Sequence, residues 1–441
     1  MYFPFSFFLF TLLIEDRKTD SGQSQGIIAL TEIIVTDMIP LRLRGQWFSG
    51  ISSMWAIGTV AGPLVGGALA QKVTWRWIFW INLPFLGLGA VMVVLFLTLN
   101  YQVSSFAAKL RRIDWVGAVV FIAASTGFLI PLTWGGIMYD WDSWRTLVPL
   151  ILCGVGLIAF VVYEAYVPEE PLIRLEVFQN QTAAVTFFST FIHGLLLWCT
   201  LYYLPLYYEA VKGMTPIMTG VALFPQTFTV APASMISGIL IAITGKYRAG
   251  VWVGWVLTTL GFGLMILLKP ETSTPAWVFI NLVPGVGTGM LFACMALAVQ
   301  ASSTNKNMGF AVNMFAFLRS FGQTVGVAVG GVIFQNQMSE RLMKLPALAP
   351  MAAEYSRNSA GLVEVIKSMP DSAERVQLIG AYADSLRIVW VVMTALSAVG
   401  MIASFWTEAL PLDRPFESEQ SFKEKKKEGD AEKSGVVSDS N

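Results

Sequence analysis

Gly58-Thr-Val-Ala-Gly62-Pro63-Leu-Val-Gly66-Gly67 lies inside a tract, 47–70, that holds no charged side chain. About 20 apolar residues wound as an α-helix reach across the ~30 Å hydrocarbon core of a bilayer, so the tract reads as a membrane span. Its glycines recur at every fourth position and line one helix face, where a neighbouring backbone can approach closely; Pro63 adds a kink. Small residues four apart occur wherever membrane helices touch, so the stripe alone marks a helix contact.

The rest of the chain follows the same pattern. Hydrophobic residues make up 55% of the 441 and charged residues 13%, about half the ~25% of a soluble domain. Fourteen of the charges crowd into the last 29 residues, so the preceding body is drier still. Net charge is zero, which leaves no basic field for nucleic acid, and one histidine with three cysteines leaves no set of metal ligands. Cys153, Cys199 and Cys294 all lie in apolar tracts and read as small buried hydrophobes. No phosphate-binding Gly-x-x-x-x-Gly-Lys loop is present, so an ion gradient is the expected energy source and no cofactor is expected. A membrane-embedded enzyme would need a nucleophile or metal constellation, and a lone histidine supplies neither.

Trimming the uncharged stretches at charges, Gly/Pro clusters and interfacial aromatics gives ten spans: 47–70, 77–99, 114–135, 145–166, 182–207, 214–244, 249–268, 275–300, 308–336 and 386–408. An eleventh, 26–40, is short and contains Glu32 and Asp37. With so much backbone at membrane depth and no alternating strand pattern, an all-α polytopic fold is the only way to satisfy the backbone hydrogen bonds. Arg42, Arg44, Lys109, Arg111, Arg112, Arg174, Lys246, Arg248 and Lys306 fall on one side of the alternating loops, nine in all, against about four opposite: Lys72, Arg76, Lys212 and Lys269. The richer side is expected to be cytoplasmic, with the C-terminus beside it. The long connection 337–385 then faces outside and has room for short amphipathic helices. The sequon at Asn180 falls on the cytoplasmic side, where it stays unmodified.

A second stripe, Gly322-Gln-Thr-Val-Gly326-Val-Ala-Val-Gly330-Gly331, repeats the step and the terminal Gly-Gly on an equivalent crossing. Two matching stripes on parallel spans suggest an internal repeat, as in transporters whose halves are related by an axis along the membrane normal. The first stripe, followed by Trp75-Arg-Trp-Ile-Phe-Trp-Ile-Asn-Leu-Pro84, resembles the antiporter signature of the major facilitator superfamily. Asp114-Trp-Val-Gly117, Leu201-Tyr-Tyr-Leu-Pro-Leu-Tyr-Tyr208 and Arg319-Ser-Phe-Gly-Gln323 resemble its fourteen-helix drug:proton antiporter branch in fungal form. The resemblance runs from about Gly26 to Pro415. It implies a secondary active exporter of small amphipathic compounds such as drugs, toxins and secondary metabolites, driven by protons, in the plasma membrane or alternatively the vacuolar one. Related facilitators of this kind also carry other solutes, basic amino acids among them.

Set against that family, the eleven spans correspond to helices four to fourteen. The chain is then expected to be N-terminally truncated, lacking the Gly-x-x-x-Asp-Arg-x-Gly-Arg loop and the arginine early in helix four. An inactive fragment is the alternative reading. The domain expectation is an atypical segment over 1–25, a remnant of the N-terminal helical half over 26–99, two linker helices with their loops over 100–181, a C-terminal six-helix half over 182–408, and a disordered cytoplasmic tail over 409–441. Gly245-Lys-Tyr-Arg248 looks like a worn copy of the missing loop. The partners implied are a small-molecule substrate, protons and the lipid bilayer, with no nucleic acid, and the chain is expected to be a monomer.

An ionisable side chain at membrane depth costs ~2.5–3.5 kcal/mol on insertion scales, so each one is a candidate for function. Glu32, mid-span, carries a proton or pairs with a basic loop residue; Asp37, nearer the end, suits a cap. His193 either titrates in the pathway or is a satisfied core histidine. Arg319, which aligns with Trp55 when the stripes are superposed, must find a carboxylate, a carbonyl or water. Arg76, between two tryptophans, suits an interfacial anchor as well as the pathway. Asn82 and Gln323 complete the pathway candidates from the matched motifs. Tyr202, Tyr203, Tyr207 and Tyr208 with Trp198 suit a greasy cavity or, as most such aromatics do, the lipid-facing belt.

Overall fold

The computed structural model describes residues 31, 34–36, 39, 41–74, 76–96, 113–168, 171–304 and 307–412. Among them are ten helices of 15 residues or more: α1 (Leu41–Lys72), α2 (Asn82–Phe96), α3 (Trp115–Trp134), α4 (Trp144–Tyr166), α5 (Gln181–Leu206), α6 (Phe224–Thr244), α7 (Arg248–Met265), α8 (Thr274–Ser302), α9 (Met308–Met343) and α10 (Ala373–Ser404). Each corresponds to one of the ten expected spans. Seven, α3 to α6 and α8 to α10, are long and apolar enough to cross a bilayer. The marginal tract 26–40 falls mostly outside the described residues, Glu32 and Asp37 included.

Polar side chains set the helix starts. Asp114, Ser143, Asn180 and Ser372 each accept a backbone N–H from the first turn of α3, α4, α5 and α10 respectively, satisfying donors the helix itself cannot. Asn180, the sequon asparagine, is therefore the α5 cap. The tract 214–244 is broken at Leu223: a short helix, Pro216–Ala222, stops there, and Pro225 opens α6. Gly245 ends α6 in the left-handed conformation at φ 69°, its N–H bonded to the Ile241 carbonyl at 2.7 Å.

Helices α5 to α10 form one core. The α5 helix lies against α9, α6 and α7 flank α8, and α10 closes the group on α7, α9 and α5. Its largest fully buried side chains include Trp255, Trp390, Phe187, Phe262 and Phe334. The α1 helix packs on α6 and α8. The α3–α4 pair docks through α3 on α9, where Phe121 meets Phe317 and Phe321 at 5.3 and 5.7 Å between ring centroids.

Two expected loops are shorter than the charge pattern suggests. Residues 41–46 are the first turns of α1, because Arg44 turns inward instead of facing water. In the 337–385 connection, α9 runs on to Met343 and α10 begins at Ala373, on exposed turns laced by Lys344–Glu340 and Arg375–Asp371 pairs. The residues between hold two short helices, Ala352–Arg357 and Ser359–Ser368, and bury Leu348, Leu362, Val363 and Ile366.

Candidate functional site

The second glycine stripe is the seam between α5 and α9. A Cβ at Gly322 would collide with the Phe191 carbonyl oxygen, one at Gly326 with the Leu195 carbonyl, and one at Gly330 with Tyr203 and the Cys199 sulfur. Gly194 on α5 returns the contact, its missing Cβ replaced by the Arg319 carbonyl. Backbone therefore lies on backbone over two full turns. The first stripe differs: a Cβ at Gly58 meets nothing within 4 Å among the described residues, and one at Gly66 meets only Ile78 Cδ1 at 4.0 Å. Gly62 is half-buried; the side-chain surroundings of Pro63 and Gly67 lie outside the description, as does Trp55.

The seam presents His193 and Arg319 to the same place. His193 is the thirteenth residue of α5, Arg319 the twelfth of α9 and Thr288 the fifteenth of α8. At 1.5 Å rise each is roughly 16–22 Å into its helix, the middle of a bilayer. His193 is 1% exposed, with Nε2 3.0 Å from the Thr288 carbonyl oxygen. A carbonyl only accepts, so Nε2 carries the hydrogen and donates. Arg319 is 2% exposed, its Cζ 4.4 Å from the Phe292 ring centroid and 5.2 Å from that of Phe315. Phe292 also meets the His193 ring edge-on at 6.4 Å. The guanidinium thus sits between two aromatic faces, which compensates part of its desolvation. Gln323, one turn further along α9, is buried on the same helix.

The other pathway candidates lie elsewhere. Asn82 opens α2 and gives its amide to the Ile78 carbonyl at 3.3 Å. Arg76 is exposed beside Trp77. Neither is brought to the His193–Arg319 region. The tyrosines are not a lipid belt as a group. Tyr203, Tyr207 and Tyr208 are buried, donating to the Val327 and Lys269 carbonyls and meeting the Asn281 amide respectively; only Tyr202 is exposed. The physical reason is that a phenol in a packed bundle is held where its hydroxyl finds a partner.

Two features escaped the sequence reading. Arg44, counted there among loop cations, is 5% exposed and fans out to three acceptors: Gln300 Oε1 at 3.0 Å, the Thr36 carbonyl at 2.6 Å and the Ile39 carbonyl at 2.7 Å. It ties the approach to α1 onto the end of α8. The signal was Gln300, a buried amide closing an otherwise apolar tract. The second is Gly285-Val-Gly287-Thr-Gly289 in α8, where added Cβ atoms would strike α6 at Gln226 and Val230 and α7 at Thr258. Its spacing of two, unlike the four-residue step, serves both neighbours of α8 at once.

A family model described as Major Facilitator Superfamily matches residues 23–327. Among fungal relatives, the MFS transporter L2 of a Phoma species is 56% identical, over 96% of this chain and 71% of that protein. The MFS-type efflux pump LUC4 of a Fusarium species is 36% identical, over 94% of this chain and 74% of the pump. An Acurin A biosynthesis cluster MFS-type transporter from Aspergillus aculeatus is 35% identical, over 92% and 74%. Among solved structures, a bacterial homolog of the human lysosomal transporter Spinster in an inward-facing, occupied conformation is 12% identical, over 92% of this chain and 96% of that one, with a TM-score of 0.40.

Proposed function

The chain belongs to the major facilitator superfamily, and from that premise we propose that it exports small amphipathic compounds in exchange for protons. Membership makes it a multi-pass membrane protein that moves small molecules. The export direction draws support from relatives named as efflux pumps. The observation that carries the site is Arg319, a buried cation at mid-helix depth between Phe292 and Phe315, with His193 on the adjoining helix. A fixed positive charge flanked by aromatic rings suits a flat apolar molecule with a polarised oxygen.

Under this reading the α5–α10 helices are the C-terminal half, α3 and α4 are linker helices, and α1 with α2 belong to the N-terminal half. Arg44 and Gln300 are then a latch between halves, closed here, that must break when the pathway opens on that side. The plasma membrane is the proposed location and the monomer the proposed working unit. Glu32 stays a proton-carrier candidate on its sequence position.

Flux of a fluorescent amphipathic dye in proteoliposomes, with and without an imposed pH gradient, tests the proposal. Export should follow the gradient, Arg319→Met should lower it at least tenfold and Arg319→Lys should retain part of it. Gradient-independent flux would overturn proton coupling, and full flux in Arg319→Met would remove that residue from the pathway.

A further inference from the structure

The α3–α4 hairpin holds polar chemistry that the transport reading leaves unused. Asp114 caps α3, its Oδ1 accepting from the Gly117 N–H at 2.9 Å and from the Tyr163 hydroxyl at 3.1 Å. Glu164, near the end of α4, is 3% exposed, and its Oε2 accepts from the Ile173 N–H at 3.0 Å. The two remaining oxygens, Asp114 Oδ2 and Glu164 Oε1, are both buried, and neither has a donor among the described residues. Both oxygens close on one point, where a side chain at Gly117 would begin.

Two ionised carboxylates cannot share such a spot, because each raises the cost of the other's charge and, among the described residues, no cation pairs with either. One proton between them removes the repulsion and replaces it with a short, charge-assisted O–H···O⁻ bond. It also supplies the single donor that both orphan oxygens lack. We propose that Asp114 and Glu164 bind one proton between them, as a carboxyl–carboxylate pair that fastens the paired ends of α3 and α4 to the segment 171–178.

Among the described residues, the neighbouring polar groups are engaged elsewhere. From α4, Tyr163 already donates to Asp114. From 171–178, Arg174 lies over the Phe310 ring, its Cζ 3.7 Å from the centroid, and Glu176 accepts from the Asn307 amide at 3.1 Å. From α9, Arg319 is the one charged residue between Met308 and Ser339, and it is turned to Phe292 and Phe315. Among the described residues no lysine, arginine or histidine forms an ion pair with either carboxyl.

The consequence reaches the C-terminal helices. Segment 171–178 leads into α5, with Phe178 against Phe187 at 4.9 Å, and it walls a cavity of about 210 Å³ between Phe121, Phe160, Arg174, Phe310 and Phe317. Loss of the proton drives the carboxyls apart and withdraws Glu164 from the Ile173 N–H. The pair is therefore a pH-sensitive clamp between the linker hairpin and the start of α5.

Hydrogen exchange of the whole chain in lipid nanodiscs tests this without any transport assay, so its outcome is separable from that of the export reading. In the wild type, protection of the Ile173 region should fall with rising pH by about tenfold more than the intrinsic acceleration of exchange. Glu164→Gln places an amide donor permanently against Asp114, and Asp114→Asn does the same toward Glu164, so each should flatten that dependence. The infrared band of a protonated carboxyl should be present at neutral pH in the wild type and absent from Glu164→Gln. Should Glu164→Gln fail to fold, Asp114→Asn alone decides. A wild type without the band, or the same pH dependence in wild type and variant, overturns the proposal.

Discussion

Gly326 and Gly58 belong to two stripes that look alike in sequence, yet among the described residues only Gly326 is packed against backbone. At Gly326 even a methyl group meets the Leu195 carbonyl. Gly326→Leu should therefore push α9 from α5, costing ~1–3 kcal/mol as an overpacked contact and abolishing dye efflux while leaving membrane insertion intact. Gly58→Ala should be neutral or raise stability by ~0.5–1 kcal/mol, since alanine is the better helix former and no atom of the described residues lies within 4 Å of the added methyl. Thermal unfolding and efflux of the two variants measure this, and equal damage from both would contradict the packing. Arg44 gives a second residue-scale prediction. Its three acceptors are each met by a different nitrogen of the guanidinium, Nε, Nη1 and Nη2, and a single ammonium nitrogen cannot reach all three. Arg44→Lys should thus unfold nearly as early as Arg44→Ala. A double-mutant cycle with Gln300→Ala should return a coupling of ~1.5–3 kcal/mol, the range of a hydrogen bond to a charged group. At this scale the sequence told which residues are costly in a membrane, but not which neighbours they find. His193 and Arg319 stood out by chemistry alone; that they share Phe292 follows from three helices meeting, which no local pattern encodes.

The ten long helices were legible because apolar length and the absence of charge are properties of each tract by itself. Their ends were less so. Helix α9 overran its expected end because charges exclude a residue from lipid without excluding it from a helix, and Lys344 with Glu340 is a good i,i+4 pair in water. The turn between α3 and α4 shows what a short polar connection can do. Gly136 sits at φ 78°, its N–H donating to the Tyr139 carbonyl at 2.8 Å, and a side chain there would strike Asn336 and Trp141. Asn336 in turn donates from α9 to the Gly135 carbonyl at 3.1 Å, pinning the hairpin to the core. Gly136→Ala combines a left-handed backbone with a clash, so it should destabilise by ~1–3 kcal/mol. Asn336→Ala should cost ~0.5–1.5 kcal/mol through the lost hydrogen bond. Thermal unfolding ranks the two, and the order should be Gly136→Ala below Asn336→Ala below wild type.

Across the whole molecule, contacts between helix ends sort the connections into two faces. Thr182 accepts from the Glu408 N–H at 3.0 Å, Tyr247 donates to the Glu408 carbonyl at 2.7 Å, and Asn307 bonds Glu176, so residues 176–182, 247, 307 and 408 share one face. Lys212 donates to the Pro270 and Thr272 carbonyls at 2.6 Å each, and Lys367 pairs with Glu209 at 3.7 Å, so residues 209–212, 270–272 and 367 share the other. Burial pushes the Lys212 ammonium below its usual pKa, with Glu271 opposing. This is the alternation that the charge count assumed, although Arg44 must be struck from that count because it is buried. Eight basic residues against about four keep the first face as the proposed cytoplasmic one. An epitope after Asn441 and one in the 167–181 connection should then be protected from protease added to intact cells. The external test site is best placed at Asp371, whose side chain is 97% exposed, rather than near residue 355, because Ala352 and Ser356 are packed. A tag there should be cut while the other two survive. Cleavage of the first two with protection of the third would invert the orientation, and with it the direction in which the proposed proton flow drives export.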